Sequence, residues 1–201
     1  LERRYTFNET DFDSRFEIDR LAVYAELDRE LTSRWHLTFG LRAERHRSEY
    51  RDSEAVRFRP RDDMQGGRLV LSWDYSDQAM AYASISRGYK AGGFNISGTL
   101  DADLREYDPE ALWNYELGLK GLWLDGRLSA RTALFTMQRD DVQVETSIVR
   151  VRPDGSAEFI DLTSNAAEGT NTGLEVEADF AATEALAFFA SVGLLDTEFD
   201  D

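Results

Sequence analysis

The sequence of 201 residues predicts an all-β protein, specifically an antiparallel up-and-down transmembrane β-barrel. Three observations favour this fold class. Apolar and polar residues alternate along segments of about ten or more residues, as in strands that cross a membrane. Short and long connections alternate between those segments. The longest apolar run, 185–190, is far below the roughly 20 residues that a spanning helix needs.

Alternation is clearest in two segments. Leu174, Val176 and Phe180 are interleaved with acidic residues, and Leu117 and Leu119 share one face of a segment whose other face is polar. In a transmembrane barrel the apolar face meets lipid and the polar face lines the lumen. About eight segments are predicted as strands: 15–28, 35–48, 66–76, 79–89, 112–124, 127–146, 171–181 and 185–198.

The connections between these strands fall into two lengths. Short turns are predicted at 28–34, 76–78, 124–127 and 181–185, and long polar loops at 47–66, 90–111 and 147–170. Every second connection of an up-and-down sheet lies at the same edge, so the short turns collect at one rim and the long loops at the other. Within the third long loop, Pro153-Asp154-Gly155 predicts a small hairpin between 149–152 and 158–162.

Side chains at the strand ends and on the polar faces fit the same interpretation. Aromatic residues near strand ends are typical of the interfacial girdles of membrane barrels, and here they are Trp35, Trp73, Tyr75, Trp113 and Trp123. Polar ladders lining the lumen are predicted from Glu116, Lys120, Glu175, Glu177 and Asp179.

The composition argues against several functional classes. The chain has 39 Asp and Glu against 23 Lys and Arg, a net charge of −16, which argues against a nucleic-acid partner. Cysteine is absent, so there is no disulfide framework and no thiolate site. His36 and His46 lack zinc-site spacing. The acidic runs 11–13, 101–103 and 140–141 lack the ligand spacing of a calcium loop, so we predict neither metal nor cofactor.

Eight strands also form the smallest closed barrels, so the number of strands alone does not decide whether these residues form a complete barrel. The chain ends at 197–201, where a rising strand meets its loop, and Arg3–Phe7 reads as the tail of an earlier strand. A finished barrel would close with an apolar terminal strand, which is missing here, so we expect an arc of a larger barrel. Alone, such an arc would leave two long unpaired edges, which favour aggregation.

Several motifs resemble those of TonB-dependent outer-membrane receptors. The run from Tyr82 to Asn95, YASISRGYKAGGFN, is similar to a family segment in which a strand leads into an extracellular loop. Leu124–Leu128 is similar to the periplasmic turn of that family, and the stretch from Leu134 to Val144 to its next rising strand. Asn165–Ala167 with Gly173–Glu177 is similar to a further signature, although 168–171 departs from the usual basic residues. The resemblance is specific from about residue 69 onward.

The resemblance implies a barrel of about 22 strands, of which residues 1–201 form a partial barrel domain. It also implies an N-terminal plug domain and a TonB-binding box, which these residues do not include. The implied function is TonB-coupled uptake across the outer membrane of a Gram-negative bacterium, without enzymatic chemistry. A ferric siderophore or similar metal chelate is the expected solute, with cobalamin or an oligosaccharide left open. The implied partners are the plug, the rest of the barrel, TonB and outer-membrane lipid.

Four residues of the loop-opening motif are candidates for ligand binding. Arg87, Tyr89, Lys90 and Asn95 offer charge and hydrogen bonds to an anionic ligand such as a ferric chelate. The alternative, which we favour, is that they hold the base of the loop in place. Gly88, Gly92 and Gly93 do not form a phosphate-binding loop, because loop rather than helix follows them; we expect them to permit tight turns.

Two other functional classes remain open from the sequence. A complete small outer-membrane barrel, acting as an adhesin or enzyme, requires pairing between the first and last strands. A soluble carbohydrate-binding β-sandwich requires the apolar residues Leu117, Leu119, Val176 and Phe180 to meet in a buried centre.

Overall fold

The computed structural model describes residues 13–53, 55–97, 100–165 and 168–199. Within these ranges no helix is long and apolar enough to cross a membrane. A 3-10 turn lies at Ala102–Leu104. The strands are β1 (Ser14–Thr32), β2 (Trp35–Asp52), β3 (Arg57–Phe58), β4 (Arg61–Ser76), β5 (Ala79–Lys90), β6 (Gly93–Phe94), β7 (Glu106–Tyr107), β8 (Glu110–Trp123), β9 (Leu128–Asp140), β10 (Gln143–Val151), β11 (Ala157–Asn165), β12 (Gly169–Thr183) and β13 (Leu186–Phe199).

The long strands form one antiparallel meander in the order β1-β2-β4-β5-β8-β9-β12-β13, and the two-residue strand β3 adds to β2. The predicted all-β, up-and-down architecture is therefore confirmed. Among the described residues the edge strands β1 and β13 do not pair with each other, so the sheet is an open wall. The alternative of a complete small barrel is wrong for this reason. The predicted strand end at Arg3–Phe7 lies outside the described residues.

Strand register places apolar residues on one continuous face of the sheet. Leu117, for example, pairs with Ala83 on β5 and Leu134 on β9, and directly paired residues share a face. The face continues through Leu21, Val23, Ala25 and Leu27 of β1, Leu37, Phe39 and Leu41 of β2, Leu69 and Leu71 of β4, Ile85 of β5, Leu119 of β8, Leu174 and Val176 of β12, and Val192 and Leu194 of β13.

This apolar face is not buried by the rest of the described chain. Leu117 is 59% exposed, Leu119 45% and Val176 37%. A β-sandwich would bury these residues against a second sheet, so the sandwich alternative is wrong. The arrangement is the one expected of a barrel wall whose apolar face meets hydrocarbon.

The height of the apolar band matches a membrane. Trp113 and Trp123 lie on the apolar face near opposite ends of β8. At about 3.3 Å per residue, the interval between them measures about 33 Å along the strand. A strand tilt of about 40° reduces this to about 25 Å, which is the height of the lipid-facing band of outer-membrane barrels.

Aromatic rings flank this band as predicted. At the short-turn rim, Trp35 stacks on Trp73 with ring centroids 5.7 Å apart, and Tyr75 lies 5.9 Å from Trp73. Towards the long-loop rim, Trp113 stacks on Tyr115 at 6.4 Å. Rings with an apolar body and a polar edge suit the two membrane interfaces.

The opposite face is polar and carries cross-strand pairs. Arg68 reaches across β2 to Glu26 with a nitrogen-to-oxygen distance of 2.7 Å. Arg131 pairs with Glu177 at 3.1 Å. His36 Nε2 lies 2.9 Å from Asp74 Oδ2. The predicted ladder residue Glu177 is therefore paired, and register places Lys120, Glu175 and Asp179 on the same face.

One predicted strand is wrong in its C-terminal part. The sequence predicted a single strand over 127–146, but β9 ends at Asp140, and Asp141 has a positive φ of 54°. The next strand, β10, begins at Gln143 and belongs to the hairpin with β11. Alternation continues through Val142 and Val144, so the period-two pattern gives no sign of the break.

The predicted hairpin in the third long loop is present and longer than expected, pairing Gln143 with Asn165 at its base. At its tip the Ser156 hydroxyl and backbone N–H donate to Asp154 Oδ1 at 2.7 and 2.9 Å. These bonds hold the pKa of the Asp154 carboxyl below its usual value. The turn is thus fixed by the short-range Asx chemistry that its sequence predicts.

Candidate functional site at the loop base

The candidate site is the base of the second long loop, where β5 leads into residues 91–109. β4 and β5 stop pairing at Gly67 and Arg87, so the two strands separate here. Arg87 Nη1 donates to the backbone carbonyl of Gln65, and its guanidinium lies 5.9 Å from the centre of the Trp113 ring. Arg87 therefore stabilises the point of separation on the apolar side of the wall.

Tyr89 makes its contacts with the wall rather than with the loop. Its hydroxyl donates to Glu44 Oε2 at 3.1 Å and accepts from Arg42 Nε at 2.9 Å. Arg42 and Glu44 are themselves paired at 2.5 Å. Tyr89 thus joins β5 to a charged pair on β2, two strands away.

Asn95 clamps the second long loop to the third. Its Nδ2 donates to the carbonyls of Leu104 and Thr163 at 2.9 and 2.8 Å, and its Oδ1 accepts from the backbone N–H of Thr163 at 2.8 Å. Its own N–H donates to the Arg105 carbonyl at 2.6 Å. Every polar group of the Asn95 amide is engaged in joining loop to hairpin.

Lys90 differs from the other three candidates. Its side chain is exposed at the end of β5, and among the residues that the structure describes it has no carboxylate partner. Arg87 also lacks a carboxylate partner there, but its guanidinium contacts the Gln65 carbonyl and the Trp113 ring, whereas the Lys90 ammonium contacts no polar group of the described residues. The structure brings the four residues to one rim but gives three of them partners within the chain.

A buried carboxylate at the same rim was not identified from the sequence. Glu110 is 7% exposed and accepts from Arg139 Nε at 2.8 Å and from the backbone N–H of Gln143 at 3.0 Å. The Gln143 side chain donates to the carbonyls of Ala91 and Asp108 at 2.9 and 3.0 Å. These bonds tie both ends of the second long loop to the start of the third. In the sequence Glu110 is an acidic residue beside an apolar run. Its burial could not be predicted from this, because the residues that bind its carboxylate are distant in sequence.

The two loops also share apolar contacts. Leu100 of the second loop is buried with Ile160 and Leu162 of β11, and Leu104 and Ile148 pack against this cluster. Asn165 reinforces the contact through its amide, which bonds with the backbone of both loops. The long loops therefore form one folded cap at the rim rather than two independent segments.

Aromatic rings continue the cap onto the wall. Phe94 stacks on Phe58 with ring centroids 5.0 Å apart and lies 5.2 Å from Tyr50 and 5.7 Å from Phe16. Arg105 lies 6.0 Å from the Phe58 ring. The Phe94 of the recognised motif thus anchors the loop by packing.

Gly92 and Gly93 allow close packing of the loop, whereas a Cβ on Gly88 would meet open space. A Cβ on Gly92 would lie 2.5 Å from the Tyr107 carbonyl oxygen, and one on Gly93 would overlap the Tyr107 ring. Neither glycine has a positive φ. The expectation of tight turns at Gly92 and Gly93 is therefore wrong, and close packing against β7 is the reason for these residues.

The residues weighed as metal ligands have other partners. Asp101 lies 3.5 Å from Arg150, and His46 is buried and accepts from Arg20 Nε at 3.0 Å. Among the described residues no group of three or more His, Cys, Asp or Glu side chains is placed to hold a metal ion. Residues 11–12 lie outside the described ranges.

An open antiparallel wall with an apolar outer face, a polar inner face and a folded cap of long loops defines a segment of an outer-membrane barrel. The sequence model of the family described as TonB dependent receptor-like, beta-barrel matches residues 3–201. The chain therefore belongs to this family of TonB-dependent receptors. A chain of this family lies in the outer membrane, where the apolar face is expected to meet lipid and the polar face the lumen.

Individual relatives agree with this assignment. The pesticin receptor of Yersinia pestis is 27% identical over 188 residues, which cover 90% of this chain and 26% of the receptor. The ferric-pyoverdine 358 receptor of Pseudomonas putida is 31% identical over 156 residues, 73% of this chain and 18% of that receptor. The chain thus spans about a quarter or less of the length of these relatives.

Solved structures share the fold. The ferric yersiniabactin uptake receptor FyuA from Yersinia pestis matches with a TM-score of 0.75 at 24% identity, covering 94% of this chain and 28% of that one. The siderophore receptor PiuA from Acinetobacter baumannii matches with a TM-score of 0.70 at 22% identity, covering 94% and 26%.

Proposed function

We propose that the full-length protein is a TonB-coupled outer-membrane receptor that takes up a ferric siderophore or a similar metal chelate. The family match over residues 3–201 is the observation that carries this proposal. A relative named for ferric pyoverdine, together with a neighbour named for ferric yersiniabactin, supports the substrate class.

The proposed role of this chain is structural and positional. Residues 1–201 form a partial barrel domain that joins the rest of the barrel around an N-terminal plug, and TonB acts on the plug. The lumen face, with pairs such as Arg68–Glu26, gives the plug a hydrated polar surface. Such a wall transports without enzymatic chemistry and without a cofactor of its own.

We also propose that the loop base contributes to ligand binding mainly through Lys90. An exposed ammonium at the extracellular rim attracts the negative charge of a ferric chelate. Arg87, Tyr89 and Asn95 act on binding indirectly, because their polar groups hold strands and loops in place. Lys90 lies at the end of β5, beside the cap that they hold.

Uptake of radioactive iron tests the proposed function. Cells that carry the gene, cells lacking it and cells lacking TonB are supplied with ⁵⁵Fe complexes of yersiniabactin, pyoverdine and other siderophores. At least one complex is expected to enter only when both the receptor and TonB are present. Equal uptake of every complex in all three strains, or uptake that persists without TonB, would contradict the proposal.

Lys90→Gln is expected to weaken binding of the transported complex up to about fivefold, the range of one exposed charge contact. Binding is measured by titrating the ferric complex against purified receptor. Lys120→Gln, a lysine on β8 near the opposite rim, is the matched control and is expected to bind normally. Equal affinity of the Lys90 variant and the native receptor would remove Lys90 from the ligand site.

A further inference from the structure

A buried histidine lies on the polar face of the wall, near the long-loop rim. His46 is 4% exposed, although no second sheet covers this face. The girdle residue Trp113 is in register with Leu41 of β2 through the paired residues of β4 and β5. His46 lies beyond Leu41 on the same strand, towards the rim, so it is placed outside the apolar band and at the mouth of the lumen.

Arg20 determines the protonation state of this imidazole in the structure. Its Nε donates to His46 Nδ1 at 3.0 Å, between the directly paired strands β1 and β2. A guanidinium only donates hydrogen bonds and stays protonated in proteins. Nδ1 is therefore unprotonated, and the ring proton of a neutral His46 is on Nε2. A second proton would have to enter at Nδ1, where it would break the bond from Arg20.

Asp62 lies on the other side of His46, on the neighbouring strand. The two residues are directly paired between β2 and β4, and their charges interact. The Gly92 N–H approaches the same carboxylate, but Asp62 Oδ2 is buried and has no hydrogen-bond partner in the part of the chain that the structure describes. A buried carboxylate oxygen without a donor is costly, and a cationic N–H donor would remove that cost.

Other carboxylates near this pair are already bound or lie further away. Beyond Arg20 and Asp62, the charged groups around His46 are Glu44 on β2, Asp63 on β4 and Asp108 of the second long loop. Glu44 is paired with Arg42 at 2.5 Å, and Asp63 is paired with Arg45 at 2.6 Å. Among the described residues, Asp62 is the carboxylate that both pairs directly with His46 and keeps a buried oxygen without a partner.

We propose that His46 is a proton-driven switch at the mouth of the lumen. In the neutral state its imidazole accepts from Arg20. In an acidic medium a proton enters at Nδ1, the bond from Arg20 is lost, and one N–H of the imidazolium donates to Asp62 Oδ2 instead. The proton comes from the medium and stays on the ring. Histidine suits this role because it is the side chain that ordinarily changes charge between about pH 5 and 8.

The switch changes the cations that the mouth offers to a ligand. Arg20 is exposed on the polar face of β1, and after its release from His46 the Nε–H is added to the donors that its guanidinium can direct at an anion. This consequence rests on the proposed function. It predicts that an acidic medium strengthens the binding of an anionic ferric chelate.

The switch is tested by ¹⁵N NMR of the full-length receptor with labelled histidine, in which the His46 signals are identified by their absence from His46→Gln. The neutral ring is expected to carry its proton on Nε2. Asp62→Asn removes the charged acceptor and is expected to lower the pH midpoint of His46 protonation by about one unit. Arg20→Gln removes the cation and is expected to raise the midpoint by about as much. Asp63→Asn, on the opposite face of β4, is the matched control and is expected to shift it by less than about 0.3 unit.

Binding of the ferric complex tests the consequence for the ligand. The native receptor and His46→Gln are compared at about pH 7.5 and about pH 5.5, so that any effect of pH on the complex itself cancels. On acidification the native receptor is expected to gain up to about fivefold in affinity relative to the variant, the range of one exposed charge contact.

The two measurements separate the switch from the proposed transport function. A neutral ring with its proton on Nδ1, or a midpoint that neither Asp62→Asn nor Arg20→Gln moves, would overturn the switch. Equal pH dependence of binding in the native receptor and His46→Gln would overturn its regulatory role. The NMR titration needs no ligand and no TonB, so its result stands whether or not the receptor takes up iron.

Discussion

Replacing Leu117 by arginine is expected to destabilise the barrel by about 2–4 kcal/mol, the cost of a cation facing lipid near the membrane midplane. Leu117 lies between the girdle residues Trp113 and Trp123 on β8, and its side chain is 59% exposed on the apolar face. In the membrane that exposure is to hydrocarbon, which cannot solvate a guanidinium. Denaturant unfolding of the full-length receptor in lipid vesicles measures the loss.

Ser84→Arg is the matched control for this substitution. Ser84 pairs with Glu116 on the polar face, at nearly the same height in the wall as Leu117. A new arginine there enters the lumen beside a carboxylate, and its effect is expected to stay within about 1 kcal/mol. Equal destabilisation by the two variants would show that the assignment of lipid and lumen faces is wrong.

The wall was predictable because one local rule governs it. Along β8, successive residues from Trp113 to Leu119 alternate between the lipid face and the lumen face. The polarity of a residue such as Leu117 or Glu116 is therefore enough to predict which face it lies on. Register then follows, since a slip of one residue would expose every polar side chain to lipid. The order of strands follows from the up-and-down rule, since short turns and long loops alike join strands that are neighbours in the sheet.

The loop cap was not predictable by the same rule. Asn95 meets Thr163 across 68 residues, and Glu110 meets Arg139 across 29 residues. Such contacts depend on the three-dimensional path of two loops, and no local period encodes it. Asn95 was recognised as part of a motif, but its role as a clamp became visible only with its partners.

On the polar face, the size of one residue is limited by a side chain on the neighbouring strand, and the alternation of apolar and polar residues gives no sign of this limit. Tyr82 on β5 reaches over Gly118 on β8, and its hydroxyl donates to Glu116 Oε1 at 2.6 Å. Gly118 is buried beneath this ring, and a Cβ at that position would overlap the ring atoms. In the sequence Gly118 is simply a small residue between Leu117 and Leu119. A glycine is required at this position because the Tyr82 side chain of the neighbouring strand occupies the space that a larger residue would fill.

Gly118→Ala is therefore expected to destabilise the full-length receptor by about 2 kcal/mol, through overpacking and loss of the Tyr82 hydrogen bond. The added methyl group forces the ring away from the wall and its hydroxyl away from Glu116. Denaturant unfolding in vesicles measures the change, with Ala133→Ser, a similarly small change on the same face of β9, as the control.

A double-mutant cycle identifies the cause of that loss. Tyr82→Ala removes the ring, so adding Gly118→Ala to it is expected to cost less than about 0.5 kcal/mol, and the coupling between the two sites should approach the full cost of the single glycine change. If Gly118→Ala destabilised the Tyr82→Ala protein as much as the native one, the glycine would be required by the backbone and not by the ring. The cycle thus decides whether a lumen side chain on one strand fixes residue size on the next.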